Sequence, residues 1–424
     1  MKKLITIAIL AAAFVSCAGG NANGNSGEYA SYKRVPLQRT LTGAQPMAGI
    51  VLWTTNAQKN TKAISLEYSY MLYNEVCKEK GVYDWSVVDD LLDDIASRGH
   101  QAVIRFRYTY VGQETSTPDY IKALPDYEET VGPSEGRTTH FPDWRCEELM
   151  RFHLEFHRLF AERYDRDPRL AFVETGFGLW AEYHIYDGPC EIGRTFPSKE
   201  FQAKTVKALS EYFHDTTWSI SIDAADDFYS PFKAQPELLN YRFGNFDDSF
   251  MCEDHDGYNY ESWKFFGEDR FRTAPLGGEF SYYTRDDQRH CLDVEGMYGR
   301  KFEDEVAKFH MTFIIGNDQP RYQSMERIQE ASLAMGYKYE IRDFRIKNGS
   351  AAVCIANVGV APIYRDAFVS VNGVRGDYNL SSLMPGEEQW VLIPDCSADM
   401  KSAPEIACDH LVPGQKIEYL ADIK

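Results

Sequence analysis

The chain has 424 residues, 44% hydrophobic and 14% aromatic, enough for one large domain and a second, smaller one. A net charge of −19 argues against a nucleic-acid binder or a protein that coats anionic membrane, because such a surface repels phosphate. The nine cysteines form no CxxC pair and no zinc spacing, so no zinc or dithiol-redox class is indicated.

In chain order, Lys2 and Lys3 precede an apolar run from Leu4 to Val15 that is too short to span a bilayer and is built like an export signal. It ends Phe14-Val15-Ser16-Cys17, which resembles a bacterial lipobox with Phe14 in the place usually held by Leu. The resemblance implies a lipidated Cys17 after a signal of residues 1–17, and attachment to the cell envelope at the outer membrane. An ordinary signal cleaved nearby is the alternative. Residues 18–44 read as a Gly-, Asn- and Ser-rich tether and lead-in. No later stretch reaches transmembrane length.

From residue 45 to 337, strand-like and helix-like segments alternate, the pattern of a parallel sheet with crossover helices. Gly49 to Trp53 is a first strand and Tyr70 to Tyr73 a second. Asp84 or Ser86 can cap a helix with Val87, Val88, Leu91, Leu92 and Ile95 on one apolar face and Gly99 just beyond its end. A third strand starts at Ala102 and runs toward Tyr108. A long loop over 111–142 follows, of the kind that forms a lid or cleft wall. Trp144 to Tyr164 is helical, Leu170 to Val173 a fourth strand, Ser198 to His214 a helix and Trp218 to Ile222 a fifth strand. Tyr241 to Phe250 contains the sixth, Ala274 to Phe280 the seventh and Met311 to Ile315 the eighth, with helices at Lys301 to His310 and Gln323 to Met335. Eight such strands close a (β/α)8 barrel. Over 338–424 the segments become short and alternating, punctuated by Asn348-Gly349, Asn372-Gly373 and Pro385-Gly386, which predicts a small all-β sandwich. Cys396 and Cys408 lie close enough in sequence to pair.

Barrel enzymes carry their chemistry at the carboxyl ends of the strands. After the fourth strand comes Glu174-Thr175-Gly176-Phe177-Gly178-Leu179-Trp180-Ala181-Glu182-Tyr183-His184, and the seventh contains Gly277-Gly278-Glu279-Phe280-Ser281-Tyr282. Glu182 and Glu279 thus emerge beside glycines and aromatic rings, where partial desolvation raises a carboxyl pKa. Two such carboxylates suit glycosidic bond cleavage: one protonates the leaving oxygen, the other attacks the anomeric carbon or activates water.

The run Tyr73-Asn74-Glu75, Gly81-Val82-Tyr83-Asp84-Trp85, Gly99 and Val103-Ile104-Arg105 resembles the second and third βα units of clan A glycoside hydrolases. That resemblance implies an acid/base after strand four and a nucleophile after strand seven, positions matched by Glu182 and Glu279. Ala181 stands where the clan usually has Asn. The Gly-x-Gly-x-x-x-Glu spacing also looks like the acid-bearing strand of β-amylases. Taken whole, with Gly176 to His184 and Asn357-Val358-Gly359-Val360-Ala361-Pro362-x-Tyr364, the chain is similar to an uncharacterised family of secreted bacterial barrel-plus-sandwich proteins.

Trp53, Arg105, Tyr108, Trp180, Tyr183, His184 and Tyr282 are expected to contact a sugar, with core packing the alternative for Trp53 and Tyr108. Arg105 or Arg107 is placed to orient Glu279, and Asp247 and Asp248 to bind hydroxyls; structural ion pairs and caps are the alternatives. His153 and His157 lack the HExxH context and read as structural, and Glu253-Asp254-His255-Asp256 as a solvated acidic stretch. No metal or cofactor is expected, and the only partner is carbohydrate, with membrane attachment through the lipid alone. The leading expectation is a glycoside hydrolase acting on a poly- or oligosaccharide. The alternatives are a non-catalytic, surface glycan-binding lipoprotein and a purely structural barrel with a polar-free mouth.

Overall fold

The computed structural model describes residues 27–424; the signal and Cys17 lie outside the described residues. Eight parallel strands close a barrel: β1 (Gly49–Trp53), β2 (Leu66–Leu72), β3 (Gln101–Arg107), β4 (Leu170–Glu174), β5 (Thr217–Ser221), β6 (Gly244–Phe250), β7 (Leu276–Phe280) and β8 (Phe313–Ile315). β8 pairs back onto β1 with Ile314 opposite Ile50. β2 starts earlier than its apolar run suggests, because Leu66 and Tyr68 point into the barrel while Tyr73 already opens a short helix, Tyr73–Val76.

Full crossover helices follow six of the strands: α1 (Ser86–Ser97), α2 (Glu147–Tyr164), α3 (Lys199–Tyr212), α4 (Tyr258–Phe266), the pair α5 (Arg285–His290) and α6 (Phe302–Lys308), and α7 (Met325–Ala334). Strict alternation fails after β1 and after β5. Residues 54–63 are polar and lack an apolar stripe, and the β5–β6 segment carries Pro231 and Pro236 and forms only short 3₁₀ turns. Trp85 rather than Asp84 or Ser86 occupies the N-cap of α1; Asp84 instead accepts from the Ser86 backbone. Ser198 does cap α3, accepting from the Phe201 N–H. Gly99 follows α1 with φ +75°, a conformation that disfavours a Cβ.

Two sheets, antiparallel but for one parallel pairing of Tyr339–Lys347 with Tyr419–Ile423, form the sandwich. One contains β9 (Tyr339–Lys347), β10 (Gly349–Asn357), β13 (Glu388–Ala398) and β15 (Tyr419–Ile423); the other contains β11 (Ala367–Val371), β12 (Val374–Asn379) and β14 (Pro404–Cys408). The first sheet also takes Lys33–Arg34 on β9 and Leu37–Arg39 on β15, so the end of the lead-in is part of this domain rather than a tether. Asn348-Gly349 and Asn372-Gly373 have positive φ at both residues, as two-residue hairpin turns require. Cys396 and Cys408 do not pair; Cys396 Sγ donates to the Gly349 carbonyl, and the described cysteines are all free thiols.

One apolar cluster runs from the barrel interior (Val51, Leu66, Val103, Phe172, Phe313) into the sandwich core (Ile341, Val353, Val369, Ile393). His410 Nε2 meets the Leu170 carbonyl at 2.8 Å, at the start of β4. The sandwich therefore closes the amino-terminal end of the barrel, leaving the carboxyl end as the open mouth. No helix among the described residues is long and apolar enough to cross a membrane.

Candidate active site

The segment after β4 is a folded loop. Trp180 (φ +53°) and Ala181 (φ +57°) are both left-handed, and the Glu182 N–H donates to the Leu179 carbonyl at 2.9 Å, closing a tight turn. Two successive non-glycine residues in this region cost energy that the surroundings must offset. The offset is visible: the Gly178 N–H donates to the Glu182 carbonyl at 2.8 Å and the Leu179 N–H to the His184 carbonyl at 3.0 Å. A Cβ on Gly176 or Gly178 would overlap the Ala181 or His184 carbonyl, so both positions need glycine. The turn pushes Trp180 and Glu182 into the mouth while Tyr183 points back into the core.

The mouth is a cavity of about 640 Å³ lined by Glu182, Glu279, Asp223, Asp247 and Asp248 together with rings from Trp53 to Tyr283. Trp53, Tyr70, Tyr110, Trp180 and Tyr186 form a continuous arc of ring contacts along one wall, with Trp180 and Tyr186 stacked at 5.6 Å and 22°. Hairpin Thr130–Ser134/Arg137–Phe141, within the long loop, brings Glu135 to the rim, where it takes the Tyr186 hydroxyl. The loop is thus a cleft wall.

Glu182 Oε2 lies 2.9 Å from His184 Nε2, and His184 Nδ1 lies 3.4 Å from Asp223 Oδ2, just past β5. Ser221 Oγ in turn donates to Asp223 at 2.5 Å. Burial opposes the imidazolium, but Asp223 and Glu182 on either side overcome it and hold His184 well above its ordinary pKa. Burial pushes the Glu182 carboxyl up to about 7, with His184 pulling the other way. Glu279 is raised well above the ordinary range by burial and by Asp248, with Arg105 opposing. Glu182, His184 and Asp223 each offer a donor atom within 4.8 Å of the others, a spacing that a cation could share. The protonated imidazole between the two carboxylates already supplies positive charge there.

Beneath the mouth, Arg105 donates to Glu174 from Nε at 2.8 Å and to Asp248 from Nη1 at 2.6 Å, with the Phe246 ring 4.0 Å from its guanidinium carbon. Asp247 accepts from Asn259, Ser249 and Trp263. Of the residues expected to contact sugar, Trp53, Trp180, His184, Asp248 and Tyr282 line the cavity. Arg105, Tyr108 and Tyr183 do not. Arg105 is 1% exposed and engaged by Glu174 and Asp248 rather than by Glu279. Tyr108 stacks on Tyr73 at 4.1 Å in the helix-side core, and Tyr183 packs against Phe177 and Phe196. Both point outward from the barrel wall because side chains alternate along a strand and the turn reverses the chain.

Asp223 escaped sequence reading although it stands two residues past β5, where the strand-end rule would find it. Tyr70, Tyr110 and Tyr186 carry no local signal that separates them from core rings. His153 and His157 are buried and held neutral by burial. His255 is also buried, 3.4 Å from Glu305 and 3.8 Å from Asp247, so the 253–256 stretch is only partly solvated; Asp256 pairs with Arg300 and Lys308.

The fold and its mouth define a (β/α)8 barrel with a carboxylate-lined, aromatic-walled cavity and a C-terminal sandwich. No protein-family model and no curated protein matches the sequence. In fold the chain is similar to a glycoside hydrolase family 30 subfamily 8 xylanase, Xyn30A, from Clostridium acetobutylicum (TM-score 0.37, 11% identity, covering 90% of this chain and 96% of that one). It is also similar to an endo-1,4-beta-xylanase from Caldicellulosiruptor owensensis (TM-score 0.40, 10% identity, 68% and 86% covered). A third is the catalytic domain of a beta-amylase from Paenibacillus polymyxa (TM-score 0.41, 9% identity, 69% and 98% covered). These likenesses are too distant to bear on substrate or chemistry.

Proposed function

We propose that the protein is a glycoside hydrolase acting on a poly- or oligosaccharide, with Glu182 as general acid/base and Glu279 as nucleophile or base. One observation carries this reading: two carboxyls with raised pKa values, from β7 and from the turn after β4, share a single cavity walled by aromatic rings. Rings offer faces to the C–H surfaces of a sugar, and Asp248 and Asn259 offer hydrogen-bond partners for hydroxyls. Glu182 near half-protonation at neutral pH suits a proton donor that later becomes a base. Glu279 must be ionised in its role, which burial opposes in the free cavity; positive charge developing at an anomeric carbon favours that ionisation.

Leaving-group dependence tests the roles. Glu182→Ala is expected to lose activity on a natural saccharide yet keep much of it on a dinitrophenyl glycoside, whose leaving group needs no proton; Glu279→Ala is expected to lose both. Full activity of both variants on the natural saccharide would exclude the proposal.

The burial that raises the Glu279 carboxyl well above the ordinary range favours a second reading, glycan capture without cleavage. Calorimetric binding of an oligosaccharide that stays intact over days would select it. The lipobox-like Phe14 to Cys17 supports anchoring at the bacterial outer membrane in either case; Cys17→Ala should abolish metabolic labelling with palmitate.

A further inference from the structure

A second cavity, of about 540 Å³, lies at the opposite end of the barrel, in the seam with the sandwich. Arg166, Arg242, Arg272 and Arg365 line it. Arg365, in the β10–β11 connection, is only 7% exposed. Its Nη2 donates to Thr216 Oγ1 at 2.8 Å and, more weakly, to the carbonyls of Ala171 at 3.4 Å and Leu170 at 3.5 Å. Its Nε and Nη1 hydrogen-bond to none of the described residues, yet neither is sealed from solvent, so they open onto the cleft. Arg242 is also held by neutral oxygens: the His214 carbonyl at 2.8 Å, the Thr273 carbonyl at 3.2 Å and Thr217 Oγ1 at 3.3 Å. Arg272 makes no ion pair among the described residues.

Asp215, Asp366 and Asp409 also line the cleft, each held by another side chain. Asp215 pairs with Arg166, Asp409 with Arg375, Asp366 accepts from Asn379, and Asp165 accepts the backbone N–H groups of His214, Asp215 and Thr216. His410 is held neutral, pushed down to about 3 by burial and then by Arg365. Arg242 and Arg272 are exposed, whereas Arg365 is buried, and none of the three makes an ion pair among the described residues. Burial disfavours the Arg365 cation, and Asp165 and Asp215 offset this only in part; a buried cation without a close counter-charge is costly unless an anion joins it.

We propose that this seam binds a small oxyanion, a phosphate or sulfate group, between Arg365 on the sandwich and Arg242 and Arg272 on the barrel, with the Ser381 hydroxyl at the rim. Guanidinium forks match such oxygens in pairs. The bound group ties the two domains together from the face opposite the mouth. It is either a free inorganic ion or the charged substituent of a sugar.

The test is thermal unfolding of the full described chain, titrated at constant ionic strength with inorganic phosphate, with sulfate and with glucose 6-phosphate, against chloride. A saturable rise in Tm with phosphate or sulfate is expected, with at least tenfold weaker apparent affinity in Arg365→Met and in Arg272→Met. Arg272 is exposed and makes no ion pair among the described residues, so its variant decides the matter if Arg365→Met does not fold. Tighter binding of glucose 6-phosphate than of phosphate assigns a sugar-borne group; equal or weaker binding assigns the free ion. An equal rise with chloride, or an unchanged phosphate response in Arg272→Met, overturns the proposal. Glu182→Gln should bind the anion as the parent protein does, whatever becomes of the hydrolase reading.

Discussion

Arg105 grips Glu174 through two nitrogens, Nε at 2.8 Å and Nη2 at 2.5 Å, both on the same carboxylate oxygen. The guanidinium is 1% exposed and Glu174 fully buried, and Glu174 Oε1 has no hydrogen-bond partner among the described residues. With Asp248 on Nη1, one cation serves two carboxylates from β4 and β6. It also takes part of the negative charge felt by Glu279. Arg105 is thus a positioning residue under the mouth rather than a contact for sugar.

Removing that cation should be expensive. Arg105→Met leaves the buried Glu174 and the half-buried Asp248 without their counter-charge, a situation that costs about 3–5 kcal/mol. Urea unfolding should show this loss, and it should be greater at pH 8 than at pH 4, because burial pushes the Glu174 carboxyl up to about 7 and it needs the arginine only when ionised. An unchanged midpoint would show that the pair does not support the mouth.

The two carboxyls of the cavity should each matter for turnover. Glu182→Gln and Glu279→Gln are expected to lower kcat/KM on a cleaved saccharide by about 10²–10⁴-fold, with circular dichroism unchanged.

Acting as proton donor, Glu182 must be protonated, so the rate should fall as pH rises past about 7. His184 pulls that carboxyl down. His184→Gln therefore moves the alkaline limb of the pH profile of kcat/KM upward; a downward move would contradict the geometry.

The same carboxyl links folding to pH. Glu182 has an ordinary value of 4.5 and about 7 in the folded protein, so between these values the native state holds a proton that the unfolded chain releases. Stability from this group is greatest below 4.5 and is lost as pH rises through 7. Gln at this position avoids the loss. Glu182→Gln should match the parent protein near pH 4 and exceed it at pH 8, by a few degrees in Tm on the order of 2–4 °C per kcal/mol.

Gly178→Ala would drive a Cβ into the His184 carbonyl and open the turn that presents Glu182. Loss of activity with about 1–3 kcal/mol of destabilisation is expected; normal turnover would mean that the turn tolerates opening.

Much of the barrel was legible in the sequence because its strands are short apolar runs separated by helical stripes; Gly49 to Trp53 could be read residue by residue. The missing helices after β1 and β5 were less visible, since a polar or proline-broken segment gives no positive signal of what it forms. Glu182 and Glu279 could be named because strand ends face the mouth of any such barrel. Tyr108 and Tyr183 were misplaced because sequence cannot say which side of a strand or turn a ring takes. The residues alone thus determined the eight-strand cylinder, its sandwich partner and the two leading carboxyls, all consequences of local periodicity. Closure of the cylinder decided the rest. It set Arg105 between Glu174 and Asp248, brought Asp223 through His184 to Glu182, and gathered rings from four distant segments into one wall. Such contacts join residues far apart in the chain, and no local pattern encodes them.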